Sequence, residues 1–236
     1  MITTVFFDLD GTLLPMDQEV FIQAYIGGLA KKMVPHGYDP KKLAKALWAG
    51  TGSMVENDGT VPNDEVFWKT FNAVYGKECR VDEPLFDEFY RNEFQDVAKS
   101  CGFAPEAAEV IELLKSMGIR RVLATNPLFP AIATQSRARW AGLCVEDVDL
   151  ITTYENSSFC KPNLDYYREI LGKLNLQPEQ CLMVGNDAAE DMVAKQLGMQ
   201  VFLLTDCLLN KHNEDISQYP QGGFPELITY IRSLNP

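Results

Sequence analysis

Two aspartates stand two residues apart at the end of an apolar run, Val5-Phe6-Phe7-Asp8-Leu9-Asp10, and Gly11 follows at once. In a strand, residues two apart point to the same side, so Asp8 and Asp10 are expected to emerge together at its carboxyl end. Gly11 lets the chain turn sharply out of the sheet. Open α/β sheets bind their ligands beyond the carboxyl ends of the strands, where this turn would lie. Convergent carboxylates there suit a hard cation, or a nucleophile beside a proton carrier. Taken alone, the pair has a plainer reading as turn formers.

Three later strand ends carry polar groups that such a pair would need. The strand expected over 121–125 finishes in Thr125-Asn126, and Cys160-Lys161-Pro162 sets a lysine just before a helix start. The strand over 180–184 runs into Gly185-Asn186-Asp187, with Asp191 four residues on. Read as helical, Asp187 and Asp191 share a face. Each group also has a bland account: a turn, a solvated loop, an acid at a helix start. Their recurrence at successive strand ends is what argues for a shared site.

The elements that must position these groups follow from hydrophobic spacing. After Leu14 the period becomes helical. Asp17 caps a helix carrying Val20, Phe21, Ala24, Tyr25 and Leu29, and Asp39-Pro40 opens another. Asn63-Asp64-Glu65 leads into a third that Gly76 ends, and Asp82-Glu83-Pro84 starts a fourth. Aromatics at spacings of three and four in this region read as core. From Pro105 helices and strands alternate: helix 107–117, strand 121–125, helix 130–140, a weaker strand 148–152, helix 164–174, strand 180–184, helix 188–197, strand 200–204 and a closing helix 224–234. Short apolar strands between helices imply a doubly wound parallel sheet, an α/β core. Residues 1–14 and 101–236 are expected to form that core, with an all-helical domain inserted over 15–100.

Composition narrows the partners. The 236 residues carry a net charge of −12, which argues against nucleic acid, whose binders show basic stripes. An anionic substrate would instead meet a metal ion or a few placed cations. The six cysteines have no C-x-x-C spacing and only His36 and His212 are present, so free thiols in a reducing cytoplasm are expected and a zinc site is not. The N-terminal run lacks a basic lead and is broken by Asp8, so no signal peptide is expected. The longest uncharged stretch, Val122 to Ser136, contains prolines and an asparagine and does not read as a membrane span. Oligomeric state is not legible.

In their order, DxDGT, T-N, K-P and G-N-D-x-x-x-D resemble the haloacid dehalogenase-like (HAD) hydrolase superfamily over the whole chain. The insert resembles the helical C1-type cap of its subfamily I. The resemblance implies a Rossmann-like core and a role for each residue. Asp8 matches the nucleophile that forms an aspartyl-phosphate, and Asp10 the general acid/base. Thr125 matches the hydroxyl that binds the phosphoryl group, and Lys161 the cation that neutralises nucleophile and phosphate; apart from the resemblance, turn amides near Asn126 are expected to position the same oxygens. Asp187 matches the acidic ligand of Mg²⁺ alongside Asp8 and the Asp10 carbonyl, and Asp191 the last acidic position around that metal.

Physical chemistry supports these roles. A carboxylate repels a phosphate dianion, so a divalent cation bridging both is close to compulsory. Magnesium prefers oxygen ligands, and lysine adds charge where the transferring oxygens gather. Alcohol leaving groups need a proton and halides do not, so Asp10 favours phosphate-ester chemistry over dehalogenation. The expected activity is a Mg²⁺-dependent phosphatase acting on a small phosphorylated metabolite. A sugar phosphomutase is the nearest alternative, and a non-catalytic phospho-acceptor module is a more distant one. Substrate choice is expected in the insert, where Gly50-Thr51-Gly52-Ser53 reads as a loop that could approach a polar ligand. His36 reads as a surface residue.

Overall fold

The computed structural model describes residues 1–234. Six parallel strands form one sheet: β1 (Thr4–Phe7), β2 (Arg120–Leu123), β3 (Leu150–Ile151), β4 (Cys181–Gly185), β5 (Gln200–Leu204) and β6 (Gln221–Gly222). Their order is β3-β2-β1-β4-β5-β6, so β1 is central and pairs in parallel with β2 and β4. The chain therefore reverses its winding direction at β1, which places a switch point at the end of that strand.

Alternate side chains of each strand face opposite layers. Val5 and Phe7 of β1, Leu182 and Val184 of β4, and Phe202 and Leu204 of β5 pack with α5 (Pro105–Ser116) and α8 (Phe224–Leu234). Phe6, Met183, Val201 and Leu203 point the other way, onto Tyr166, Tyr167 and Ile170 of α7 (Leu164–Leu174). Both faces are covered, as expected for strands that read as continuous apolar runs. Phe6 is fully buried, and its replacement by alanine would cost about 3–5 kcal/mol.

Between β1 and α5 lie α1 (Gln18–Met33), α2 (Pro40–Val55), α3 (Asn63–Tyr75), α4 (Glu83–Arg91) and a 3₁₀ turn over Glu93–Ser100. The Asp17 carboxylate caps α1 by accepting from the Glu19 and Val20 amides, and Asp39 caps α2 through Lys42 N. These helices share a separate apolar cluster rich in rings, among them Phe67, Phe71, Phe86, Phe89 and Phe94. It meets the rest of the chain through Ala133 of α6 (Ala131–Trp140), Tyr154 and Cys160.

The structure corrects the sequence reading in three places. Residues 50–53 are not a loop: they lie within α2, where Gly50 packs on Phe67 and the Ser53 hydroxyl returns to the Gly50 carbonyl at 2.8 Å. Residues 188–197 are not an α-helix but a turn followed by a 3₁₀ run, Met192–Leu197. The Tyr167 hydroxyl donates to the Glu190 carbonyl at 2.7 Å, capturing an acceptor that an α-helix would use internally. The two-residue β6 was not anticipated; it is too short to carry a period. Among the described residues no helix is long and apolar enough to cross a membrane.

Candidate active site

The residues singled out by sequence converge at the carboxyl end of the sheet. Asp8 follows β1 directly and its amide donates to the Val184 carbonyl at 2.9 Å, continuing the ladder by one step. Gly11 then turns with φ +89°, and a Cβ there would lie 2.4 Å from Asn186 Nδ2, so both conformation and space require glycine. Asp8, Asp10, Thr125, Asn126, Asp187 and Asp191 all line one cavity of about 200 Å³, and Phe21 and Ile22 of α1 belong to its lining too.

Lys161 sits beneath this cavity, 1 % exposed. Its ammonium donates to Asp8 Oδ1 at 2.9 Å and to Asp191 Oδ1 at 2.7 Å. Burial alone would favour the neutral amine, but the carboxylates of Asp191 and Asp8 outweigh it and hold the lysine well above its ordinary pKa. Lys161 is therefore a fixed positive charge. Burial pushes Asp191 up to about 7, against the lowering effect of Lys161 and with a further push from Asp8. The other oxygen of Asp191 accepts from the Asp187 amide at 3.0 Å. A Cβ on Gly185 would come within 2.0 Å of that oxygen, so the glycine makes room for the carboxylate.

Asp187 and Asp191 thus do not share a helix face. Asp191 turns inward to Lys161, while Asp187 Oδ1 accepts from the amides of Ala189 (2.9 Å) and Glu190 (3.0 Å) and closes the turn. Asn126 lines the cavity, yet its amide group braces loops: Nδ2 donates to Glu190 Oε2 at 3.0 Å and Oδ1 accepts from the Lys161 amide at 3.3 Å. Thr125 is held from behind, its carbonyl accepting from the hydroxyls of Thr152 (2.6 Å) and Tyr166 (2.9 Å).

Several neighbours of these groups were not singled out from the sequence. Arg137 of α6 is 1 % exposed and its guanidinium donates to Asp10 Oδ2 and, at 3.3 Å, to Thr134 Oγ1, while lying 4.3 Å above the Phe129 ring. Nothing in an ordinary Arg-Ala-Arg helical stretch marks one arginine as buried. Burial raises the Asp10 pKa, and Arg137 opposes that rise. Asp10 Oδ1 is buried without a hydrogen-bond partner. Thr12, inside the first motif, places its hydroxyl 3.1 Å from Asp8 Oδ2 and 3.0 Å from Asn186 Oδ1. Glu190 adds a further carboxylate to the cavity wall.

The donor set fits a hard cation. Five carboxylates (Asp8, Asp10, Asp187, Glu190, Asp191) face the cavity, and two cations, Lys161 and Arg137, pair with them. The carboxylates outnumber the cations five to two, and Asp10 Oδ1 is buried without a hydrogen-bond partner. All available ligands are oxygens, the preference of Mg²⁺. Among the described residues no group of three acidic, cysteine or histidine side chains is arranged to hold a metal ion.

A family model for haloacid dehalogenase-like hydrolases matches residues 2–198. The chain belongs to that family. Among curated proteins, it is 26% identical over 212 residues to a ribulose-1,5-bisphosphate 5-phosphatase of Halopiger xanaduensis, covering 86% of this chain and 84% of that one. Among solved structures, a 2-haloacid dehalogenase from Pseudomonas syringae superposes with a TM-score of 0.64 at 18% identity, covering 99% of this chain and 100% of that one. The HAD hydrolase YfnB of Bacillus subtilis, described as bound to magnesium and as revealing interdomain movement, gives 0.56 at 19% identity over 100% and 99% of the two chains. At these identities the two structures speak for the fold; the family assignment rests on the model match.

Proposed function

We propose that this HAD hydrolase is a phosphatase that cleaves a small phosphomonoester through an aspartyl-phosphate on Asp8. The observation that carries the reading is Lys161 Nζ held 2.9 Å from Asp8 Oδ1 at the base of a cavity that Asp10, Thr125 and Asp187 also line. Asp8 attacks phosphorus while the bond to the leaving alcohol oxygen breaks, and Asp10 delivers the proton that oxygen needs. Asp10 then takes a proton from water as that water attacks phosphorus, which breaks the bond to Asp8 and releases phosphate. Lys161 keeps its charge throughout and offsets the negative charge of nucleophile and phosphoryl oxygens. Thr125 supplies a hydroxyl for those oxygens, and Arg137 orients Asp10.

Asp8, the Asp10 carbonyl and Asp187, with Asp191 behind them, are the residues that would hold Mg²⁺. When bound, the ion neutralises the repulsion between carboxylate and phosphate. Helices α1–α4 act in this reading as a cap over the site, excluding water and selecting the alcohol. Six free cysteines support a reducing compartment such as the cytoplasm.

The test is phosphate release from a panel of small phosphomonoesters, with Mg²⁺ and with excess EDTA, for wild type and Asp8→Asn. Repeated turnover that needs Mg²⁺ and disappears in the folded variant is expected. Undiminished turnover in Asp8→Asn would overturn the covalent route, and a single uptake of phosphate without release would point to a phospho-acceptor.

A further inference from the structure

Beside the charged cavity lies a second one of about 130 Å³ with a different character. Half of its lining is aromatic, including Tyr25, Trp48, Phe67, Trp68, Phe86 and Tyr154 from α1–α4 and the loop beyond β3. Ile22, Leu128 and Phe129 belong to the walls of both cavities. An alcohol attached to a phosphoryl group at Asp8 therefore has this space as its neighbour.

The polar content of the second cavity is low, and its one buried polar side-chain atom without a partner among the described residues is the Trp68 indole Nε1. The hydroxyls of Tyr25 and Tyr90 bond each other at 2.8 Å. Its two carboxylates are paired outward, Asp87 to Arg91 at 3.2 Å and Glu83 to Arg80 at 3.6 Å. Among the described residues, neither cavity has a lysine or arginine in its lining, and Lys161 and Arg137 already serve carboxylates. A second phosphate or a carboxylate on the substrate would find no cation here and would face Glu83 and Asp87. An apolar group would be transferred from water to a ring-lined space at a gain of about 25 cal/mol per Å². The volume is close to the ~150 Å³ that takes one benzene in a dry cavity.

We propose that the preferred substrate is the phosphomonoester of an uncharged alcohol bearing one apolar group about the size of an aromatic ring, seated in this second cavity. The inference rests on the phosphatase reading and narrows it. It sets this chain apart from what the name of its bisphosphate-cleaving relative would suggest.

Three probes test it: 2-phenylethyl phosphate, glycerol 3-phosphate and ribulose 1,5-bisphosphate, each assayed with Mg²⁺. The first two are esters of primary alcohols, so leaving-group basicity differs little between them. The expected kcat/KM for 2-phenylethyl phosphate exceeds that for glycerol 3-phosphate by roughly 10- to 100-fold, the benefit of burying one ring. Thr51→Phe, which intrudes into the second cavity from α2, should erase that preference mainly through KM. Thr51→Leu fills less space and should reduce it in part, and a thermal melt reports folding of both. Equal or better hydrolysis of glycerol phosphate or the bisphosphate would overturn the inference and leave the phosphatase reading standing. Hydrolysis of no ester would overturn both.

Discussion

The two cavities share three wall residues and have opposite chemistry. One is lined by five carboxylates at the end of a parallel sheet, the other by rings contributed chiefly by inserted helices. Four carboxylates of the first are held by named donors: Asp8 and Asp191 by Lys161, Asp10 by Arg137, and Asp187 by the amides of its own turn. The second is held by packing, with Trp68 stacked edge-on to Phe67 and Phe86 at 5.3 and 5.4 Å between ring centres. The contrast divides the labour that ester hydrolysis requires. A charged, rigid site can stabilise a transition state, whereas an apolar one contributes uniform binding.

That division is broken or sharpened by a graded set of variants. The largest effect belongs to Asp8→Asn, expected to lower kcat by more than about 10⁴-fold with an unchanged circular dichroism spectrum. Asp10→Asn should follow, with a loss of about 10²–10⁴-fold, the range of general acid/base help. If its loss appeared in KM alone, Asp10 would belong to binding rather than to proton transfer. Lys161→Met leaves Asp8 and Asp191 buried without their cation. Urea unfolding should show a loss of about 3–5 kcal/mol.

Arg137→Met should also destabilise by about 3 kcal/mol, because it strands Asp10. The double variant Arg137→Met/Asp10→Asn should recover at least half of that loss in the same unfolding assay. A strictly additive pair would mean that the two side chains do not act on each other. The smallest effect is expected in the apolar cavity. Tyr25→Phe removes one hydroxyl of the Tyr25–Tyr90 pair and should cost about 1 kcal/mol of stability. A hundredfold fall in kcat with an unaltered melt would instead place that hydroxyl in the chemistry.

Much of the charged cavity was legible in the chain. Asp8, Asp10, Thr125, Lys161, Asp187 and Asp191 lie at strand ends or helix starts, and a parallel sheet brings all such ends to one edge. The helices of the insert were legible too, since Asp17, Asp39 and Gly76 mark boundaries that the structure retains. The errors share a physical cause. Residues 50–53 look like a loop by composition, yet packing on Phe67 outweighs the low helix propensity of glycine. Residues 188–197 have a helical period, yet Tyr167 and Lys161 draw Glu190 and Asp191 into the site. Side-chain bonds from distant segments leave no trace in local pattern.

The sequence by itself determined the parallel α/β sheet, the helical insert and the carboxylates and lysine of the site, because periodicity and turn chemistry are local properties. Only the tertiary structure decided that Arg137 pairs with Asp10, that Asp187 and Asp191 face different ways, and that a ring-lined space adjoins the charged one. The first depends on residues 127 positions apart, the second on bonds from Lys161 and Tyr167 across 30 and 23 positions, and the third on four helices closing around a common void. Burial, and the pairing that burial demands, is settled only when the chain has packed.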